Sequence, residues 1–430
     1  MYVDIIIQQF YFHTKFCLFM FSMLLRSKIR SSRGVVGIPP RELAKRYFSA
    51  HVDVTEVEAF RISLRRWVDK SVIPNINSWE EKGQLPRSIY KEAAQLGVLA
   101  PGFPERYGGL GNEHNDLSVL MVVCEELCRA GSGGFIASLL THNISLQPII
   151  KLGRQEIAND VATKVLSGEA VCSLCISEPS GGSDVANMKT TATAEGDHFL
   201  LRGEKTFITS GMQADYLTVA ARTGDSGAGG ISLFLVDANT QGVERMKLDK
   251  MGWLCSDTAT IYFNDCVVPR SNLLGEENRG FEAIMENFNA ERIFLAGQCV
   301  YFSKELVHQS VEWAKDRQTF GQRLIDHQAI RHKLVDMSSK TASAEAYLNH
   351  VLDNFHASKN CIADISMLKN IATDNFQFCA DGAVQIFGGA GFIRGHMVER
   401  LYRETKVMQI GGGSTEIMKD LAAKHLGWFE

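Results

Sequence analysis

The sequence predicts an α+β multidomain chain: an N-terminal α-helical domain, a β-rich middle and a C-terminal helical bundle. Two observations predict it. Apolar residues recur at helical spacing over 54–170 and again from about 276 to the end. Between them, short β-type runs are separated by Gly, Asp and Asn turns. The changes of period set the expected boundaries: 1–50 an extension, 51–170 helical, 171–275 β, 276–430 helical. A chain of 430 residues is long enough for two or three such domains.

The composition, 45% apolar and 22% charged, is that of an ordinary soluble globular protein. A formal net charge of -4 offers no basic face, so no nucleic-acid partner is expected. Ten cysteines are scattered through mostly apolar text, which reads as reduced and intracellular. Cys172-x-x-Cys175 has no second pair and no nearby His cluster, so it reads as two small core residues, and no metal is expected.

The extension carries two signals. Residues 3–25 are apolar and aromatic, but Asp4, two glutamines, His13 and Lys15 interrupt them, so no integral membrane span is expected there. From Met23, Arg26, Lys28, Arg30, Arg33, Arg41, Lys45 and Arg46 stand against a single acid, Glu42, among frequent serines. That is the composition of a mitochondrial transit peptide, with Arg46-Tyr47-Phe48-Ser49 resembling a matrix-protease site cut after Phe48. The mitochondrial matrix is therefore the expected location. A signal-anchor at 3–25 is the competing reading.

In the first helical region, Phe60, Leu64, Trp67 and Val68 mark a helix over Glu56–Ile73, which Pro74 is expected to stop. A second helix is expected over 114–130, after a loop containing Tyr107-Gly108-Gly109-Leu110-Gly111. The six β-type runs AVCSLCIS, HFLLRG, KTFITSG, YLTVAART, ISLFLVD and ATIYFND suggest a small barrel or sandwich. No G-x-G-x-x-G links a strand to a helix, which excludes a nicotinamide-type Rossmann unit. Helical spans are expected at 281–316, 325–357, 361–387 and 414–427, joined as a bundle.

Several stretches offer chemistry, each with a plainer alternative. Ser177-Glu178-Pro179-Ser180-Gly181-Gly182-Ser183-Asp184 follows a β-run; it is either a ligand loop or a serine-rich surface turn. Phe207 and Thr209, two apart on a strand, can flank a flat ring, or be a core Phe beside a surface Thr. Glu291-Arg292 lies in the apolar helix text NFNAERIFLAG. It is a solvated pair, or, if buried, a carboxylate raised toward neutrality and able to accept a proton. Arg317-Gln318-Thr319-Phe320-Gly321-Gln322 offers a guanidinium suited to phosphate. Two glycine-rich turns, Gln385–Gly391 and Ile410–Glu416, are anion-binding turns or plain helix ends.

In order and spacing, SEPSGGSD, KTFITSG, MGWLCSDTATIYF (251–263), RQTFGQ, QIFGGAGF and IGGGSTEI resemble the acyl-CoA dehydrogenase family over about residues 54–430. The resemblance implies a helical domain, a β-barrel and a four-helix bundle, assembled as a homotetramer or dimer. It implies non-covalent FAD, an acyl-CoA substrate and electron-transfer flavoprotein as the electron acceptor. Ser177, Ser183, Phe207 and Thr209 match positions at the flavin end. Arg317, Thr319 and Phe320, with Gln385 and Gly389, match positions that hold the diphosphate and adenosine, partly across a subunit interface. Ser414 and Glu416 match further FAD contacts.

Many members carry a glutamate base at the position of Gly412, where this chain has none. The long-chain and isovaleryl-CoA branches place the base on the helix, where Glu291 stands, so the resemblance implies Glu291 as base. The Gly412 backbone N–H, with the FAD ribityl 2′-hydroxyl, then receives the thioester carbonyl. Asn289 and Arg292 match positions near the CoA arm; Asn289 replaces an aspartate of some relatives. Gly395 stands where most relatives carry an acid, His396-Met397 replace the usual following text, and Phe207 replaces a tryptophan of several branches. Medium-to-long straight chains are the expected substrate. Isovaleryl or another branched acyl-CoA, an inactive flavin-binding assembly factor and an acyl-CoA oxidase are the alternatives.

Overall fold

Val57, Leu64, Trp67 and Val68 fall on one buried stripe, and that stripe makes α1 (Val54–Trp67) a helix. The computed structural model describes residues 54–111 and 117–429; the transit-peptide expectation, the hydrophobic stretch at 3–25 and the start of the helix expected from 114 lie outside them. Pro74 does not stop the helical path. It sits at the start of a single 3₁₀ turn, Ile73–Asn75, where its missing N–H leaves no bond unmade, and the chain continues into α2 (Ile76–Lys82). Then come α3 (Arg87–Gln95), α4 (Ser118–Cys128), α5 (Gly133–Leu139), α6 (His142–Ser145), α7 (Gln147–Leu152) and α8 (Gln155–Leu166). Phe135 of α5 is fully buried, with its ring against Trp67 at 6.2 Å and Trp79 at 6.0 Å, and so pins α5 to α1 and α2.

The middle of the chain forms β1 (Cys172–Cys175), β2 (Thr191–Glu195), β3 (His198–Thr209), β4 (Tyr216–Arg222), β5 (Ile231–Asp237), β6 (Val243–Lys247), β7 (Thr258–Pro269) and β8 (Leu273–Leu274). The pairing path runs β6-β7-β3-β2-β4-β5-β8, with β1 parallel to β4. It is an open path, so the barrel is not closed. Its inner face is one core that includes Phe199, Leu217, Val219, Phe234, Ile261 and Phe263. The expected runs HFLLRG and KTFITSG are one strand, β3, kinked at Gly203 and bulged between Lys205 and Ile208 against β7. Short, mostly exposed β2 and β6 were not among the expected runs, because neither carries an apolar face long enough to show a period. Cys172 and Cys175 are buried on β1, the Cys172 thiol pushed up to about 11 by burial.

The C-terminal part contains α9 (Gly280–Asp316), a small hairpin of β9 (Gln318–Thr319) and β10 (Gln322–Arg323), α10 (Gln328–His356), α11 (Ile362–Phe387), α12 (Gly389–Phe392), α13 (Met397–Ile410) and α14 (Thr415–His425). α9, α10 and α11 pack on one another, and α13 and α14 pack on α11. α13 was absent from the expected spans: a charge falls on almost every turn of VERLYRETK. Those charges work inside the protein. Glu404 accepts from the Gly133 N–H at 2.7 Å and the Trp253 N–H at 3.1 Å, and Arg400 donates to the Gly131 carbonyl at 2.9 Å. Gly395 and His396 make a local cap: the Gly395 N–H donates to Glu399 at 3.1 Å, and His396 Nδ1 accepts from the Val398 N–H at 3.2 Å. Among the described residues no helix is long and apolar enough to cross a membrane.

Candidate active site

Glu291 lies on α9, and its Oε2 is a buried atom without a hydrogen-bond partner. Burial pushes its carboxyl up, Arg292 and Lys369 pull it back, and the balance leaves it at about 7. A carboxylate so placed is half-ionised near neutrality and carries a free lone pair. That is what a general base requires.

Arg292 is buried and turns away from bulk water. Its Nε donates to the Gly412 carbonyl at 3.0 Å and its guanidinium to Asn289 Oδ1 at 3.2 Å, with the Phe288 ring 5.7 Å away. Burial lowers its pKa, and Glu291 opposes that. The adjacent pair on α9 therefore divides: the acid stays unpaired, while the base fastens the glycine-rich turn to the helix that carries the acid. In that turn Gly412 has φ +67°, and a Cβ there would stand 2.7 Å from Leu295 Cδ1. Only glycine takes this conformation without strain. Among the described residues the Gly412 N–H has no acceptor, whereas the Gly411 N–H is used by Val407 O. After the turn, Ser414 caps α14 by accepting from the Ile417 N–H, and Glu416 is exposed in its first turn.

In the β domain the Ser177–Asp184 loop is anchored from beneath. Glu178 accepts from the Lys205 ammonium at 2.7 Å, from the Thr190 N–H at 2.9 Å and from the Lys189 N–H. Burial raises Glu178, but Lys205 and these bonds outweigh it and hold the carboxyl at about 2. The Ser177 carbonyl accepts the Thr206 N–H at 2.9 Å, locking the loop to β3. The β3 bulge then throws Phe207 outward: its φ is +61° and 68% of it is exposed, with Ile208 turned into the core and Thr209 half-buried. The structure thus puts Ser177 and Phe207 on tied segments, with Ser183 on the same anchored loop and Thr209 on the same strand.

A third group lies on the bundle. The β9–β10 hairpin presents Arg317 and a 98% exposed Phe320, and Thr319 Oγ1 pairs with His327 at 3.0 Å. The Arg317 guanidinium makes no hydrogen bond or ion pair among the described residues. Trp313, just before the hairpin, stacks on Phe387 at 4.6 Å, which brings the hairpin beside the turn that follows Gln385. At Gly388 and Gly389 an added Cβ would meet nothing within 4 Å. Among the described residues no hydrogen bond joins this group to Glu291 or to the Ser177 loop. The donor chemistry fits FAD: an exposed aromatic shelf beside hydroxyls at one end, and an unpaired guanidinium with an open glycine turn and a second exposed aromatic at the other.

One residue of the site escaped the motif reading. Lys369 of α11 has no exposed surface, and its ammonium donates to the Gly413 carbonyl. The signal was present: Lys369 sits four residues after Ile365 and three before Ala372, inside the apolar stripe of its helix. Among the described residues no cluster of His, Cys, Asp or Glu is placed to hold a metal ion.

Three family models match the chain in order: acyl-CoA dehydrogenase N-terminal domain over 55–169, middle domain over 173–266 and C-terminal domain over 278–427. An acyl-CoA dehydrogenase of Bacillus subtilis is 34% identical over 379 residues, covering 87% of this chain and 99% of that protein. A long-chain specific, mitochondrial acyl-CoA dehydrogenase of Sus scrofa is 32% identical over 387 residues, covering 89% and 88%. Among solved structures, an acyl-CoA dehydrogenase from Geobacillus kaustophilus superposes with a TM-score of 0.83 at 32% identity, covering 88% of this chain and 100% of that one. The butyryl-CoA dehydrogenase of Megasphaera elsdenii gives 0.82 at 29% identity, with the same coverage.

Proposed function

The chain belongs to the acyl-CoA dehydrogenase family of FAD-dependent oxidoreductases, and on that premise we propose that it converts a medium-to-long straight-chain acyl-CoA to the trans-2-enoyl-CoA with Glu291 as base. The observation that carries the reading is the buried, unpaired Oε2 of Glu291, whose neighbour Arg292 is bonded to the turn that holds the free Gly412 N–H. A thioester carbonyl seated against that turn accepts the Gly412 N–H, which stabilises negative charge as it develops on the oxygen. Glu291 removes the α-proton. The chemistry supplied by bound FAD is the two-electron acceptance that takes the β-hydrogen. Arg292 keeps the turn and α9 in register so that donor and base act on one substrate.

We assign electron-transfer flavoprotein as the acceptor of the reducing equivalents, as the family resemblance implies. We place the enzyme in the mitochondrial matrix on the basic, serine-rich stretch from Met23 to Ala50. Assembly as a homotetramer or dimer accounts for large apolar side chains left open on the single chain, among them Phe392 at 84% and Trp428 at 75%. The test is anaerobic titration of the purified flavoprotein with straight-chain acyl-CoAs of increasing length and with isovaleryl-CoA, followed by flavin absorbance. Bleaching by medium and long straight chains supports the proposal. Preferential bleaching by isovaleryl-CoA moves it to the branched-chain reading, and a flavin that no acyl-CoA bleaches refutes it in favour of an assembly factor.

A further inference from the structure

Lys369 has a role that no motif in the sequence assigns. We propose that it is a positioning residue for the reaction: its ammonium fixes the glycine-rich turn through the Gly413 carbonyl and sets a positive charge facing Glu291. The inference rests on the reading of Glu291 as base.

The geometry comes first. Three carbonyls of one short segment are each taken by a side chain from the bundle: Gly412 by Arg292 of α9 at 3.0 Å, Gly413 by Lys369 of α11, and Thr415 by Asn370 of α11 at 3.0 Å. Holding the carbonyls of Gly412 and Gly413 toward α9 and α11 fixes the two peptide planes that directly follow the Gly412 N–H, which has no acceptor among the described residues. An apolar side chain of similar length at 369, such as Met, would fill the same volume and lose that hold.

The charge is the second part. An ammonium with no exposed surface and a single hydrogen-bond acceptor among the described residues is a costly way to pack a helix interface, and a hydrocarbon there would pack at least as well. The groups that face it are Glu291, Arg292 and Cys299 on α9 and Glu416 on α14. Burial lowers Lys369 to about 8, so it remains mostly charged at neutral pH, and its field acts on Glu291 in the direction opposite to burial. Arg292 exerts the same pull but is already committed to Gly412 and Asn289. Lys369 is the second cation that favours the ionised form of Glu291 against burial.

The test is an infrared titration of the Glu291 carboxyl in the FAD-loaded enzyme without substrate, the band being assigned by its loss in Glu291→Gln. In Lys369→Met the midpoint is expected to rise by on the order of one pH unit. In Lys369→Arg, which keeps the charge, it is expected at the wild-type position. FAD content is expected to be equal in all three, and the acid limb of flavin bleaching is expected to move with the infrared midpoint. An unmoved midpoint in Lys369→Met, or an equal displacement in both variants, overturns the proposal. If Lys369→Met fails to retain FAD, Lys369→Gln carries the same comparison against Lys369→Arg. A wild-type flavin that no acyl-CoA bleaches would defeat the proposed function instead, and the infrared midpoint would still decide whether Lys369 governs Glu291.

Discussion

Replacing Glu291 by Gln separates two things that the carboxylate does. The substitution keeps shape and volume but removes the proton acceptor, so turnover is expected to fall by about 10²–10⁴-fold. It also removes a charge that the fold accommodates poorly. The carboxyl titrates at about 7 in the folded protein against an ordinary value of 4.5. At about 1.36 kcal/mol per pH unit this gap is worth about 3 kcal/mol. The sign follows from proton uptake: between 4.5 and 7 the folded chain binds more protons than the unfolded one, so stability falls as pH rises. Below 4.5 the carboxyl is protonated in both states and the penalty is absent; above about 7 it is complete. Glu291→Gln is therefore expected to gain stability over the wild type as pH rises from 5.5 to 8, by about 2 kcal/mol across that range. Urea unfolding at fixed protein and FAD concentration measures it, alongside anaerobic bleaching for activity. Wild-type turnover in the variant, or a stability difference that stays flat with pH, would refute the assignment.

The other predictions probe the supports of the site. Gly412→Ala forces a side chain into a left-handed position and against Leu295, so it is expected to cost about 1–2 kcal/mol in a thermal melt and to slow bleaching. For the same reason, moving the base by combining Glu291→Gly with Gly412→Glu is expected to restore activity only when Leu295→Ala makes room; equal activity with and without that third change would show that Leu295 is no obstacle. Lys205→Met strands Glu178 beneath the Ser177 loop and is expected to cost about 3–5 kcal/mol, with FAD content falling in the purified protein. Phe207→Ala, at an exposed position, is expected to change the stability of the apoprotein by less than about 0.5 kcal/mol. It is nevertheless expected to weaken FAD binding by about threefold to tenfold in a fluorescence titration, in line with one aromatic contact.

The sequence by itself determined the order of architectures and singled out Glu291 as the candidate base. Periodicity separates helices from strands because burying one face of a helix or a strand imposes a different spacing on the apolar residues. This made α1, α9 and α11 legible, whereas the short, exposed β2 and the charge-laden α13 were not. Family motifs picked out Glu291 through an exchange visible in the text: a glutamate on the helix and a glycine at 412. What the text could not carry was the environment of those residues. An adjacent Glu-Arg reads as a solvated pair, and only the packing of α9 against α11 leaves Glu291 unpaired while sending Arg292 to a carbonyl 120 positions away. The packing of α13 and α14 on α11 brings Lys369 to the turn, and only its place in the apolar stripe of α11 marks it in the sequence. Desolvation and long-range hydrogen bonds depend on which surfaces meet in three dimensions, so the candidate base was readable in the chain, and the burial that raises its pKa was decided by the tertiary structure.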